Sequence, residues 1–207
     1  MNRRVFIIVA AVIAFIVTVV TLLSYYGSLV AYTINYTHAS SVKIIQVKGT
    51  STSEIATIQK SGDVVRVPSD DSYFVQYTGD DGFASGTKKL SATETTVTID
   101  PDFSEAHYTT LVQETLPAIR SAISKQYPTV TSLFTIDKGA MRDRGTWFVA
   151  WLVYKGEYNE NSDNLRILLT YENDSWVVKT QPDILLTSTN YPRISVEILS
   201  WANAATF

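Results

Sequence analysis

Cysteine is absent from all 207 residues of the chain. That removes disulfides, a thiolate nucleophile and every cysteine-built metal site, so anything that folds here must rely on its core. Histidine occurs only at His38 and His107, too few for a histidine-rich metal site. Charge of either sign is sparse: 17 Lys and Arg stand against 20 Asp and Glu, for a net charge of −3. Such a balance is poor at neutralising phosphates and disfavours nucleic acid as a partner. No run of like charges forms a polybasic arm or an acidic tail.

What is present begins with Val5–Leu23, VFIIVAAVIAFIVTVVTLL, which carries no charge. About 19 residues at about 1.5 Å each make a helix close to the thickness of a bilayer's hydrocarbon. Arg3 and Arg4 precede it and no Lys or Arg follows until Lys43, which keeps the N-terminus in the cytoplasm. Tyr25 and Tyr26 fall where an outer aromatic belt would lie. A cleaved signal peptide is the competing reading. The run exceeds the usual apolar region of about 7–15 residues, and Thr37-His38-Ala39 is a poor cleavage site. The expectation is a cytoplasmic tail over 1–4 and a membrane helix over 5–26, with the rest outside the cell membrane.

Residues 27–41 read as a linker or an extension of that helix. The alternation of Val30, Tyr32, Ile34 and Tyr36 offers a first strand instead. Residues 42–100 read as a small β module. Its expected strands are Val42–Val47, Ile55–Gln59, Asp63–Val67, Ser72–Thr78, Thr87–Leu90 and Thr95–Ile99, with Val97 and Ile99 pointing inward. Thr50–Glu54 is polar, and Gly79-Asp80-Asp81-Gly82 reads as a turn.

Residues 101–207 read as a helix packed on an antiparallel β meander, which makes the fold class α+β. Asp102 and Glu105 have capping-box spacing ahead of an apolar pattern from Tyr108 to Ile123. Pro117 predicts a kink or break near Glu114–Leu116, and Pro128 a stop. Next come Val130–Asp137, a loop over Lys138–Gly145, and the strand Thr146–Tyr154. That strand, apolar on both faces, is expected to be central and covered on both sides, with Trp151 buried. A polar loop over Asn159–Asn164 precedes a hairpin, Leu165–Tyr171 and Trp176–Thr180, turning at Asn173-Asp174. Ser195–Asn203 reads as a short capped helix.

With its turn, Tyr-x-Val-x-Tyr strand and Gly-rich turn, Val67–Phe83 resembles the PEGA-type β-sandwich modules of bacterial surface proteins. Pro68-Ser69-Asp70-Asp71 stands where the namesake tetrapeptide would be. The helix and meander look like the cystatin-like or NTF2-like class. The whole order resembles uncharacterised membrane-anchored envelope proteins of reduced-genome bacteria. These resemblances imply a location and a non-catalytic, ligand- or wall-facing module.

Several constellations look like chemistry. Ser85-Gly86-Thr87-Lys88, Ser162-Asp163-Asn164 and Lys179-Thr180-Gln181 approximate, in order, the S-x-x-K, S-D-N and K-T-G motifs of penicillin-binding proteins. That mechanism needs the Ser and Lys one helical turn apart. Ser85 lies in an expected hairpin, K-T-Q lacks the glycine, and Ser40–Lys43 repeats S-x-x-K by chance. Gly82–Gly86 is one place off the G-x-S-x-G elbow. His107, beside Glu105, reads as a solvated helix residue rather than a base. Asn159, Asn161 and Asp163 alternate like part of a calcium loop, without its glycine or terminal Glu. Trp147, Trp151, Trp176 and Trp201 could line a carbohydrate face, but Trp147 and Trp151 share a strand face with Val149 and read as core. Asn35-Tyr36-Thr37 and Asn173-Asp174-Ser175 match the N-glycosylation pattern.

No catalytic, cofactor-binding or metal residue is therefore nominated. The expected function is a membrane-anchored binding, adhesion or assembly module without catalysis, its partner a protein or cell-wall polymer. The alternative is an NTF2-like pocketed enzyme or small-ligand binder. A polar cluster between helix and sheet would favour that alternative, and a dry core would favour the binding module.

Overall fold

The computed structural model describes residues 13–22, 27–69, 72–156 and 164–205. Residues 13–22 are helical and are called α1. Their apolar side chains are exposed, Phe15 at 70% and Ile13 at 57%. Ten residues make only about 15 Å of helix, and no helix among the described residues is long and apolar enough to cross a membrane. The rest of the expected span, 5–12 and 23–26, lies outside the described residues.

The chain divides into two compact units, Met1–Pro101 and Asp102–Phe207. The described residues of unit 1 hold seven strands: β1 (Leu29–Tyr36), β2 (Ala39–Lys48), β3 (Ser51–Ile58), β4 (Asp63–Pro68), β5 (Tyr73–Gly79), β6 (Gly86–Lys89) and β7 (Thr96–Ile99). They form two sheets, ordered β4-β1-β7 and β3-β2-β5-β6. All pairs are antiparallel except β1 with β7, which are parallel from Thr33↔Thr96 to Tyr36↔Ile99. Tyr32, Ile34, Val67, Val97 and Ile99 of the first sheet share one core with Val42, Ile44, Ile58, Tyr73 and Val75 of the second. Two sheets burying one face each make a β-sandwich.

β1 lies within the segment read as a linker or helix extension. The alternation decides it: Tyr32 and Ile34 are buried, with Val30 and Tyr36 packed beside them. β3 likewise takes in part of polar Thr50–Glu54, which pairs with β2 at the sheet edge, while Ala56 and Ile58 face the core.

Unit 2 is one antiparallel sheet, β11-β10-β9-β8, with a helix on each face. Its strands are β8 (Phe134–Arg142), β9 (Trp147–Tyr154), β10 (Leu165–Glu172) and β11 (Ser175–Val178); its helices are α2 (Glu105–Gln126), α3 (Pro128–Leu133) and α4 (Val196–Ala204). Phe148, Ala150, Leu152, Ile167 and Leu169 meet Val112, Leu116, Ile119 and Ile123 of α2. On the opposite face, Val149 and Leu168 meet Ile198, Leu199 and Ala202 of α4. β9 is thus central, and apolar residues of both its faces enter a core.

Several expectations change. Ser104, not Asp102, caps α2, its side chain accepting from the His107 N–H. Asp102 accepts from the Tyr108 hydroxyl at 2.6 Å instead. α2 is unbroken at Pro117, which lies on its exposed side, where water can reach the Gln113 carbonyl to which Pro117 offers no N–H. Pro128 stops α2 but also starts α3, since its fixed φ suits the first turn of a helix. The expected loop Lys138–Gly145 is mostly strand, with a bulge between Thr135 and Lys138, and the reversal tightens to Asp143–Gly145 at positive φ. Trp151 is only partly buried, with the Arg166 guanidinium 4.9 Å from its ring centre. The Asn173-Asp174 turn, the inward Val97 and Ile99, and the Ser195 cap are as read, Asn173 and Asp174 both taking positive φ.

Candidate functional site: a groove beside α2

α2 carries two stripes. Val112, Leu116, Ile119 and Ile123 recur at helical spacing and are buried under the helix. A second stripe, His107, Leu111, Thr115, Ala118, Ala122 and Lys125, is offset round the helix and lines an open groove of about 770 Å³. The opposite wall comes from Met141, from the β8–β9 turn at Arg144-Gly145, and from Tyr171, Asp174, Ser175 and Trp176 of the β10–β11 hairpin. This hairpin leaves the groove open because β11 is a short edge strand that ends at Val178.

Aromatic rings stand on both walls. Phe103 packs edge-on against His107 at 4.5 Å and Tyr108 at 5.6 Å. Trp176 lies 5.3 Å from Tyr171 and meets buried Phe148 edge-on at 5.9 Å. Glu114, Lys125, Arg144 and Asp174 supply charges of both signs. Tyr108 fixes the start of α2 to the β8–β9 turn, since its hydroxyl donates to Asp102 and accepts from the Arg144 N–H at 2.8 Å. Burial, and then the bond to Asp102, raise its pKa above the ordinary tyrosine value. A second groove, about 600 Å³, flanks the other side of α2 along β8.

The space between α2 and the sheet is filled with aliphatic and aromatic side chains. Of the described residues, the buried polar ones are Thr170 and Thr180. Thr180 Oγ1 accepts from the Leu168 N–H at 2.9 Å, so it extends the sheet's own bonding.

The residues singled out by motif find separate partners. Ser85 Oγ accepts from the Gly79 N–H at 3.1 Å, and Lys88 pairs with Glu94 at 3.4 Å. Lys179 pairs with Glu172 at 2.8 Å. Ser40 Oγ donates weakly to backbone carbonyls, and Lys43 pairs with Glu54 at 2.7 Å. Ser162 and Asp163 of S-D-N, with Asn159 and Asn161 of the calcium-like pattern, lie outside the described residues. His38 takes a positive φ of 53°, stacks on Phe83 at 4.3 Å, and places Nδ1 3.1 Å from Asp100.

His107 is half-buried and lines the open groove. The four tryptophans do not share one face: Trp147 of β9 and Trp201 of α4 pack against the core between α4 and the sheet, and Trp176 against the core under α2. Asn35 lies in β1 between two paired strands, whereas Asn173 is exposed at a hairpin tip. Among the described residues, no three His, Asp or Glu side chains gather as a metal site would need.

Sequence reasoning missed the groove itself. The signal was there: the apolar pattern of α2 is wider than one buried stripe requires, since Leu111, Thr115 and Ala122 belong to it yet lie at its edge. No protein-family model, curated protein or solved structure matches the chain.

Proposed function

We propose that this chain is a single-pass membrane protein of a cell envelope, N-terminus in the cytoplasm. Its two outer units act without catalysis as a binding, adhesion or assembly module. The observation that carries this reading is the apolar segment around α1, whose described side chains are exposed to an extent that water disfavours and lipid favours. The partner, a protein or a wall polymer, meets the groove beside α2, where Phe103, Leu111 and Trp176 offer apolar anchors within a mixed-charge rim. The dry space under α2 supports this over a buried active site.

Flotation of the full chain with vesicles after alkaline wash, combined with protease shaving of whole cells, tests the anchor and its direction. The expected result is a chain that floats and loses both outer units to external protease. Release by alkaline wash, or protection of those units, would overturn the reading. A fluorophosphonate or β-lactam probe is expected to leave Ser85 unmodified, and a stoichiometric adduct absent from Ser85→Ala would establish catalysis.

A second reading, an NTF2-like small-ligand binder or pocketed enzyme, draws on the groove's volume, which lies within the usual range for ligand pockets. A small molecule that raises the unfolding midpoint, and no longer does so in Trp176→Ala, would favour it.

A further inference from the structure

The described strands of unit 1 begin with β1 and end with β7, and these two run in the same direction. The chain must then leave at the end opposite the one where it enters. The pairing records this directly: β1, the first strand, and β7, the last, lie side by side and parallel. At the first end sit Ser28, the β2–β3 hairpin at Lys48–Ser51, Ser69 and Ser72. They are joined by Ser69 N–H to the Ser28 carbonyl at 3.2 Å and Val47 N–H to the Ser72 carbonyl at 2.8 Å. At the other end sit His38, the Gly79–Phe83 turn and the exit at Asp100-Pro101.

The second end is tied shut. Thr37 N–H donates to the Ile99 carbonyl at 3.0 Å, and Thr37 Oγ1 donates to Asp100 at 2.7 Å. His38, held at positive φ between Phe83 and Asp100, closes the same corner. These bonds fix the exit to the β1–β2 turn, so it cannot swing back along the sandwich. Only five residues, 24–28, separate the apolar run from β1, which limits the gap to about 20 Å at full extension. The flanks of the sandwich offer lipid little: outside α1, the large apolar side chains exposed among the described residues of unit 1 are Ile55 and Val64.

We infer that the sandwich stands end-on at the bilayer, with the Lys48–Ser51 hairpin end as its lipid-facing surface and the His38–Asp100 corner pointing away. This rests on the anchor proposed above. The arrangement makes unit 1 a spacer: β1, at about 3.4 Å per residue, sets its two ends roughly 24 Å apart. The tether keeps the Ser28 end within about 20 Å of the apolar run.

The absence of cysteine makes the test direct. Thr50→Cys at the near end and Asp81→Cys at the far end, both exposed positions, accept a fluorophore in the full-length chain reconstituted into vesicles. Ser51→Cys and Lys60→Cys form a second pair should either of the first disturb folding. Energy transfer to a headgroup-labelled lipid is expected to place the near label closer to the bilayer by roughly 24 Å, the length of β1. Equal transfer from both labels, or stronger transfer from Asp81→Cys, would overturn the end-on arrangement while leaving the anchor intact. Failure of the labelled chain to float with the vesicles, scored separately, would remove the anchor and this inference with it.

Discussion

The two units bury their sheets in different ways. In unit 1 each sheet has a wet face and a dry face, so strands alternate: β7 reads exposed, buried, exposed, buried along Thr96–Ile99. In unit 2 one sheet is clad by α2 and α4 on its two faces, so Phe148, Val149 and Ala150 are buried in succession, as are Ile167, Leu168 and Leu169. The lesson is that a run such as WFVAW carries more information about layers than about strands. It says that both faces must be covered, and so demands a second helix that the short tail supplies.

The largest test of this contrast is Phe148→Ala. The ring is fully buried beneath α2, and its loss should cost about 3–5 kcal/mol. In urea denaturation of the full chain followed by site-specific probes, the unit 2 transition should move while that of unit 1 stays. A single transition that shifts as a whole would break the comparison.

Trp151→Ala should cost less, about 1–2 kcal/mol, because the indole is partly exposed and its partner is the Arg166 guanidinium. A loss of about 3–5 kcal/mol in the same measurement would restore the fully covered strand that its sequence suggests.

Tyr108→Phe should cost about 1 kcal/mol at neutral pH, through the hydrogen bonds to Asp102 and Arg144. The native hydroxyl also carries a pH signature. Its pKa is raised on folding, so its contribution is complete below the ordinary tyrosine value of about 10 and is lost as pH rises through the raised one. Unfolding midpoints of both proteins across the alkaline range should therefore converge, and parallel curves would remove Tyr108 from the account.

The smallest effect lies on the wet face of unit 1. The hydrogen bond from Lys43 lowers the Glu54 pKa, with Thr57 adding to it. What stability this pair gives is present above the ordinary carboxylate value and is lost as pH falls through the lowered one. In Lys43→Ala the Glu54 titration, followed by NMR, should move up towards the ordinary range, with little change in overall unfolding. An unchanged titration would mean that the pair does not form in solution.

Much of this was legible along the chain. Tyr32, Ile34, Val97 and Ile99 announce strands because a period of two survives wherever one face is wet. Asn173-Asp174 announces its turn because those residues tolerate positive φ. The cap of α2 was misplaced because Asp102, Ser104 and Glu105 all suit a helix start, and only the position of Tyr108 draws the Asp102 carboxylate elsewhere. Lys138 and Gly139 look like loop, yet β8 keeps them because its pairing with β9 outweighs local preference.

The candidate groove was less legible than the fold. His107, Met141 and Trp176 are far apart in sequence, and nothing local distinguishes a residue beside a groove from one beneath a helix. The amino-acid sequence by itself determined the apolar segment, the positions of most strands and the α+β class, because those follow from periods and breakers within a few residues. Tertiary structure alone decided two things: that β1 and β7 lie parallel, and that α2 leaves a groove open beside β11. Each depends on which distant surfaces meet, and burial of apolar area is indifferent to sequence separation until the chain has folded.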